Sequence, residues 1–201
     1  MTTFSSAPRL LLISGSARQG SLNTRLLQLA GRKAEALGAQ ITPVDLRALN
    51  LPVFDADLQQ TQGMPQGALA LRELFASHDG LLLASPEYNA LPTPLFINAF
   101  DWLSTVVAQG DLPSGTGATA GKPVGLLAAS PGALGGLRAL PIVRTYLSTN
   151  FAMVVVPEQL GLPAADHAFA DDGSLLKPEL DAVLGKVVHS VVRQAHWRKT
   201  A

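Results

Sequence analysis

Four short apolar runs, each separated from the next by segments of helical spacing, set the strongest limit on how this chain can fold. They are RLLLIS at 9–14, GLLLAS at 80–85, PVGLLAA at 123–129 and AMVVV at 152–156. Successive side chains of a strand point to opposite faces, so a run that is apolar at nearly every position needs cover on both sides. Strands of this kind belong inside a parallel sheet flanked by helices. A fifth strand is expected at Ile41–Leu46, although Pro43, which lacks a backbone donor, counts against it.

The intervening segments read as helices. Leu22–Leu37 carries Leu22, Leu26, Leu29, Ala30, Ala34 and Leu37 on one stripe and ends at Gly38. Gln66–Ser77, Thr93–Ser104 (with Pro94 near its first turn) and Leu137–Asn150 (entered or kinked at Pro141) follow. Pro178–Ala195 closes the chain with a stripe of leucine and valine. Asn50–Pro65 is polar and reads as a surface loop, and Gln109–Gly121 as a mobile one. Strand–helix alternation implies βαβ units. The expected fold class is therefore α/β: a flavodoxin-like doubly wound five-stranded parallel sheet, order 2-1-3-4-5, with helices on both faces. It would occupy one domain, residues 1–201, with 1–8 as an N-terminal tail.

Charge narrows the function. Fifteen lysines and arginines balance fifteen aspartates and glutamates. That balance argues against nucleic acid and against a polybasic membrane surface, both of which need a basic surplus. The chain has no cysteine, which removes disulfides, thiolate nucleophiles and cysteine-ligated metal. No basic segment precedes the first apolar run, and no run reaches the roughly 20 residues of a membrane span, so a cytoplasmic protein is expected. No metal site is expected.

In open α/β sheets ligands lie beyond the carboxyl ends of the strands. Three loops there draw attention. The first is GSARQGSLN at 15–23. Ser21 or Asn23 can cap the following helix, whose free N–H groups and dipole favour an anion. Arg18 adds a charged fork suited to phosphate oxygens. The dinucleotide pattern GxGxxG fails because Ala17 occupies the second glycine position, and the Walker pattern fails because Ser21 replaces its lysine. The remaining chemistry suits one terminal phosphate, while the same residues also suit an ordinary capped turn. The second loop, SPEYNALP at 85–92, is stiffened by prolines and offers Tyr88, Asn89 and the N–H groups of Glu87–Asn89 to a planar heterocycle. Tyr88 could equally pack and Asn89 form a turn. The third, SPGALGGLR at 130–138, has three glycines that permit close approach to a flat ligand or serve a flexible connection.

Together these segments resemble the NADPH-dependent FMN reductase family, the flavodoxin-like group that includes bacterial chromate and quinone reductases and azoreductases. The resemblance rests on GSARQGSLN at 15–23, PEYN at 86–89 with INAFDWLS at 97–104, and SPGALGGLRALPIVR at 130–144, and it spans Leu10 to about Pro157. It implies that Ser16, Arg18, Ser21 and Asn23, with the Leu22 backbone, hold an FMN phosphate. Pro86, Glu87, Tyr88 and Asn89 would border the ribityl chain and the ring, with Ser130 and Gly132 at its far edge. It further implies NADPH or NADH as co-substrate, a small acceptor (quinone, azo dye, metal oxyanion or free flavin), and a homodimer or homotetramer. The 93–104 helix, with Phe96, Phe100, Trp102 and Leu103, is then either an interface or a core helix.

Such chemistry needs little from protein acids and bases, since the cofactor carries the hydride. No catalytic side chain is expected, and His78, His167, His189 and His196 lie outside the three loops. Two rivals share the fold. A flavodoxin-like electron carrier fits poorly with Arg18 and zero net charge, and a receiver domain lacks its acidic cluster after the first strand. A flavin-binding protein without turnover keeps the same loops.

Overall fold

A computed structural model describes residues 7–200. Its centre is an all-parallel sheet of β1 (Arg9–Ser14), β2 (Gln40–Asp45), β3 (Gly80–Ala84), β4 (Pro123–Ala129) and β5 (Val154–Leu162), in the order β2-β1-β3-β4-β5. This is the expected flavodoxin-like topology. Of the expected N-terminal tail, residues 1–6 lie outside the described part. Pro8 is already buried and accepts from the Gln40 N–H at 2.9 Å.

The apolar runs behave as their two-faced composition requires. Leu10, Leu12, Leu82 and Leu127 join one core layer, covered by α1 (Leu22–Ala36) and the carboxyl-terminal helix. Their immediate neighbours Leu11, Ile13, Leu81, Leu83 and Leu126 join the other. That second layer is covered by α3 (Gln66–Ser77), α4 (Pro94–Thr105) and α6 (Ala139–Asn150). The two prolines inside strands lie on sheet edges, Pro43 in β2 and Pro157 in β5, where a missing N–H leaves no neighbour unpaired, while Pro123 only opens the interior strand β4.

Several segments differ from expectation. Residues 50–65 are not all loop, because Ala56–Gln62 form α2. Asp55 caps it, its carboxylate accepting from the Asp57 and Leu58 N–H groups at 2.8 and 3.3 Å. Seven residues cannot sustain a helix by propensity. Leu58, Met64 and Phe54 instead pack against Trp102, whose indole N–H donates to Pro52 O at 2.7 Å. Residues 109–121 are not a loose loop either. Gly115–Thr119 form α5, with Ala118 and Thr119 buried and the Thr119 hydroxyl donating to Phe151 O at 2.9 Å. β5 runs on to Leu162 past a register shift, and the last helix, α7 (Pro178–Thr200), extends past Ala195.

The α4 helix is a core helix. Phe96, Phe100, Trp102 and Leu103 are fully buried within the chain. Phe100 packs edge-on against Phe75 and Phe151, and Trp102 against Phe54. An apolar surface all round is satisfied here by the sheet on one side and the α2 segment on the other, so those four side chains carry no subunit interface.

Candidate functional site

The three loops meet beyond the carboxyl ends of β1, β3 and β4. The first is anchored at both ends. Gly15 N–H extends the sheet by donating to Ala84 O at 2.9 Å, and the Thr93 hydroxyl, at the start of α4, donates to Gly15 O at 2.6 Å. Farther along, Arg47 donates to Ala17 O at 2.9 Å. Ser21 then caps α1, its hydroxyl oxygen accepting from Thr24 N–H at 3.3 Å. The N–H groups of Leu22 and Asn23 have no acceptor among the described residues. Two open donors at the positive end of a fifteen-residue helix favour an anion. The exposed Arg18 guanidinium, which has no ion pair or hydrogen bond among the described residues, stands beside them.

Asn23 contributes differently from the expected side-chain donor. Its amide is buried and paired in both directions with Ala129, accepting from the N–H at 2.9 Å and donating to the carbonyl at 2.8 Å. It ties the start of α1 to the end of β4 and leaves its backbone N–H to the cleft.

The second loop is a tight turn rather than an extended arm. Tyr88 and Leu91 exchange backbone hydrogen bonds of 2.9 and 3.0 Å, with Asn89 and Ala90 both left-handed at φ 53° and 68°. The Tyr88 N–H is thereby consumed, and of the three expected backbone donors those of Glu87 and Asn89 stay open. The turn lifts the Tyr88 ring to 51 % exposure at the rim.

Glu87 does not face outward. Its side chain is only 8 % exposed and accepts from the Arg138 and Ala139 N–H groups, at 2.9 and 3.2 Å, where α6 begins. The Arg138 guanidinium closes on the same carboxylate through Nε at 2.7 Å and through Nη2. Burial pushes this carboxyl up, but the hydrogen bonds from Arg138 and Ala139 outweigh it and hold it below its ordinary range. Glu87 therefore locks the second loop to the third.

The third loop uses its glycines for packing against protein. Gly135 and Gly136 have φ of 59° and 83°. A Cβ on Gly135 would lie 2.6 Å from Leu162 C, and one on Gly136 2.7 Å from Ala128 Cβ. Gly132 keeps negative φ and open surroundings, with its N–H donating to Ser130 Oγ at 3.1 Å.

A cleft of about 170 Å³ lies where the loops converge. Ser16, Arg18, Ser21, Leu22 and Asn23 line it from the first loop, Pro86, Glu87 and Tyr88 from the second, and Ser130 from the third. Ala129 and Pro131 complete the wall. Asn89 and Gly132 lie outside it. Sequence reasoning missed Arg138, Arg47 and Thr93, which position the loops. Their sole signal was polarity near the motifs, since their partners are 51, 30 and 78 residues away.

Known proteins share both sequence and fold with this chain. A family model described as NADPH-dependent FMN reductase matches residues 8–167, which include all three loops. The chain is 33 % identical over 158 residues to a quinone reductase of Escherichia coli, covering 76 % of this chain and 77 % of that protein. It is 30 % identical over 169 residues to an NAD(P)H-dependent FMN reductase of Pseudomonas aeruginosa, covering 84 % of each. Among solved structures, the flavoenzyme NAD(P)H:(acceptor) oxidoreductase FerB of Paracoccus denitrificans superposes with a TM-score of 0.77 at 26 % identity, over 94 % of this chain and 97 % of that one. The chain belongs to the NADPH-dependent FMN reductase family and is an FMN-dependent NAD(P)H oxidoreductase.

Proposed function

We propose that the cleft at the convergence of the three loops holds FMN by its phosphate and presents it for reduction by NAD(P)H and reoxidation by a small acceptor of the quinone type. One observation carries this reading: nine residues from three separated motifs line one cleft, with open backbone donors and an unengaged guanidinium at one end and an aromatic ring at the other. The donor set fits the group. The Leu22 and Asn23 N–H groups, the Ser16 and Ser21 hydroxyls and Arg18 would take the phosphate oxygens. Pro86, Tyr88 and Ser130 would border the ribityl chain and ring, with Asn89 and Gly132 reaching it from just beyond the cleft wall. When bound, FMN supplies the two-electron chemistry.

This chain's own residues bind and orient. The Glu87–Arg138 lock and the Asn23–Ala129 pair fix three loops relative to one another, and preorganised loops lower the cost of ordering a ligand. The open N–H groups of Glu87 and Asn89 stand beside the ring position, where backbone dipoles can stabilise developing negative charge. No side chain is needed as a proton donor.

Tyr88, Leu91, Leu134 and Leu137 are exposed around the mouth. Apolar groups collected at a rim suit burial by a second copy, so a homodimer or homotetramer closing over the cleft accompanies the reading. The reading places the protein in the cytoplasm as one domain, 1–201, where reduced nicotinamide cofactors circulate; no helix among the described residues is long and apolar enough to cross a membrane.

The test is anaerobic. FMN-loaded protein should bleach on adding NADPH or NADH and recover colour with a quinone, an azo dye, a metal oxyanion or free flavin, and the fastest of these names the acceptor class. Protein that takes up no FMN overturns the reading. Protein that takes up FMN but is not reduced by either dinucleotide restores the electron-carrier or non-turnover alternative.

A further inference from the structure

A second and larger cleft lies on the other side of the first loop, between α1 and the carboxyl end of β2. Its volume of about 830 Å³ falls within the roughly 300–1,000 Å³ usual for small-molecule sites. Ser16, Arg18 and Ser21 line both clefts, so the two are separated only by the phosphate loop itself. Leu27, Pro43 and Val44 give it apolar surface, and Asp45 and Arg47 stand at its edge.

The position of Asp45 is informative. It ends β2 and pairs in register with Ser14, which ends β1. In dinucleotide-binding sheets a carboxylate near this point accepts hydrogen bonds from an adenosine ribose, or an arginine near it takes a 2′-phosphate. Here both residue types are present. Asp45 Oδ1 accepts from the Arg47 N–H at 2.9 Å, and Oδ2 has no partner among the described residues. The Arg47 guanidinium spends Nη1 on Ala17 O and keeps its other donors open.

We propose that this second cleft binds the adenosine phosphate end of the reduced nicotinamide co-substrate, with Asp45 and Arg47 setting the balance between NADH and NADPH. The assignment rests on FMN lying in the first cleft. With the flavin ring over the second and third loops and its phosphate at the first, a dinucleotide laid along it with nicotinamide over the ring carries its adenosine past the phosphate loop, into this space. Ala17, which stands where a dinucleotide loop has its second glycine, keeps a pyrophosphate off the loop backbone. The shared Arg18, whose guanidinium has more N–H donors than the FMN phosphate takes, then meets the pyrophosphate from the other side. Adenosine phosphate is also the far half of FAD, and the experiment separates the two sources.

Isothermal titration of FMN-loaded protein with 5′-AMP and with adenosine 2′,5′-bisphosphate is the direct test. Both should bind. Asp45→Asn keeps the acceptor for the Arg47 N–H but removes the charge facing a 2′-phosphate. It should shift the affinity ratio about tenfold toward the bisphosphate, as loss of one close like charge predicts. Arg47→Gln should shift the ratio the other way. FMN uptake, read by flavin fluorescence on the same variants, should stay unchanged for Asp45→Asn, because Asp45 lies outside the first cleft. No heat with either nucleotide on protein that binds FMN normally overturns the proposal and leaves the FMN reading intact. An unchanged ratio in Asp45→Asn overturns it as well. FMN-free protein that binds FAD at least tenfold tighter than FMN, and when so loaded excludes the bisphosphate, overturns it by giving the cleft to the cofactor. Failure of the wild type to take up FMN sinks the first reading instead.

Discussion

Arg18 and Asn23 lie five positions apart in one motif and do different work. Arg18 has no partner among the described residues and stands beside two open helix donors. Asn23 is paired twice with Ala129. Removing Arg18 should therefore cost ligand and not fold. Arg18→Ala is expected to weaken FMN about ten- to a hundredfold, the worth of one charge-assisted hydrogen bond, while riboflavin, which lacks the phosphate, loses little. Fluorescence titration with both flavins decides this, and equal losses would give the arginine a structural role. Ala90 tests the opposite case, a residue whose backbone is strained. It holds φ 68° without being glycine. A left-handed residue with a Cβ costs roughly 1–2 kcal/mol, partly offset in glycine by its freer unfolded chain. Ala90→Gly should raise stability by about 1 kcal/mol in a denaturant melt, and a loss would show that the Ala90 methyl packs usefully.

At the scale of elements, the joint between the second loop and α6 sets the cleft's shape. The Glu87 side chain is nearly buried, accepts two backbone N–H groups at the helix start and meets Arg138. Glu87→Gln should cost about 1–3 kcal/mol by weakening these charge-assisted bonds. Because the folded carboxyl is held below its ordinary value of 4.5, its stabilisation is complete above that pH and is lost as pH falls through the folded value. The gap between wild type and Glu87→Gln should therefore be full at pH 7 and shrink below about pH 4.5, and denaturant melts at pH 7 and pH 3.5 measure it. The same joint explains what sequence could and could not reveal. Strands with two buried faces announce themselves, which is why β1, β3 and β4 fall within a residue of expectation. Elements held by distant partners do not. α2 depends on Trp102, α5 on contacts with Leu103 and Phe151, and the later half of β5 on pairing with β4. In the site, short-range motifs identified nine of the eleven residues that line the cleft, and also pointed to Asn89 and Gly132, which lie outside it. They did not show that Glu87 faces a helix start or that two of the three glycines pack against β5 and β4 rather than facing the cleft, because both facts belong to contacts made after the chain has folded.

Across the whole molecule the two ends of the sheet carry separate duties. The carboxyl ends of the strands hold both clefts. The amino ends hold a charged cluster instead. There Asp79 accepts from the Arg9 N–H at 2.7 Å and pairs with Lys199 at 3.2 Å, while the buried Lys122 donates to His78 O. Burial, aided by the nearby charge of Arg198 and opposed by Asp79, pulls the Lys122 ammonium down to about 8. Its ordinary value is 10.5, so between these pH values the unfolded chain binds more protons than the folded one. A base with a depressed folded pKa makes stability rise with pH through that window. The Lys122 contribution should amount to about 2 kcal/mol between pH 7 and pH 9.5. Lys122→Met removes the titrating group while filling its space, and should flatten the rise by that amount in denaturant melts at the two pH values, whatever it does to stability at pH 7. Because this cluster lies at the far end of the sheet from the cleft, FMN affinity of Lys122→Met at pH 7 should match the wild type. A matching pH slope in the two proteins would place the source of any alkaline stabilisation elsewhere. An FMN affinity that moved with it would mean that the two ends of the sheet are coupled through β4, which joins Lys122 to Ser130.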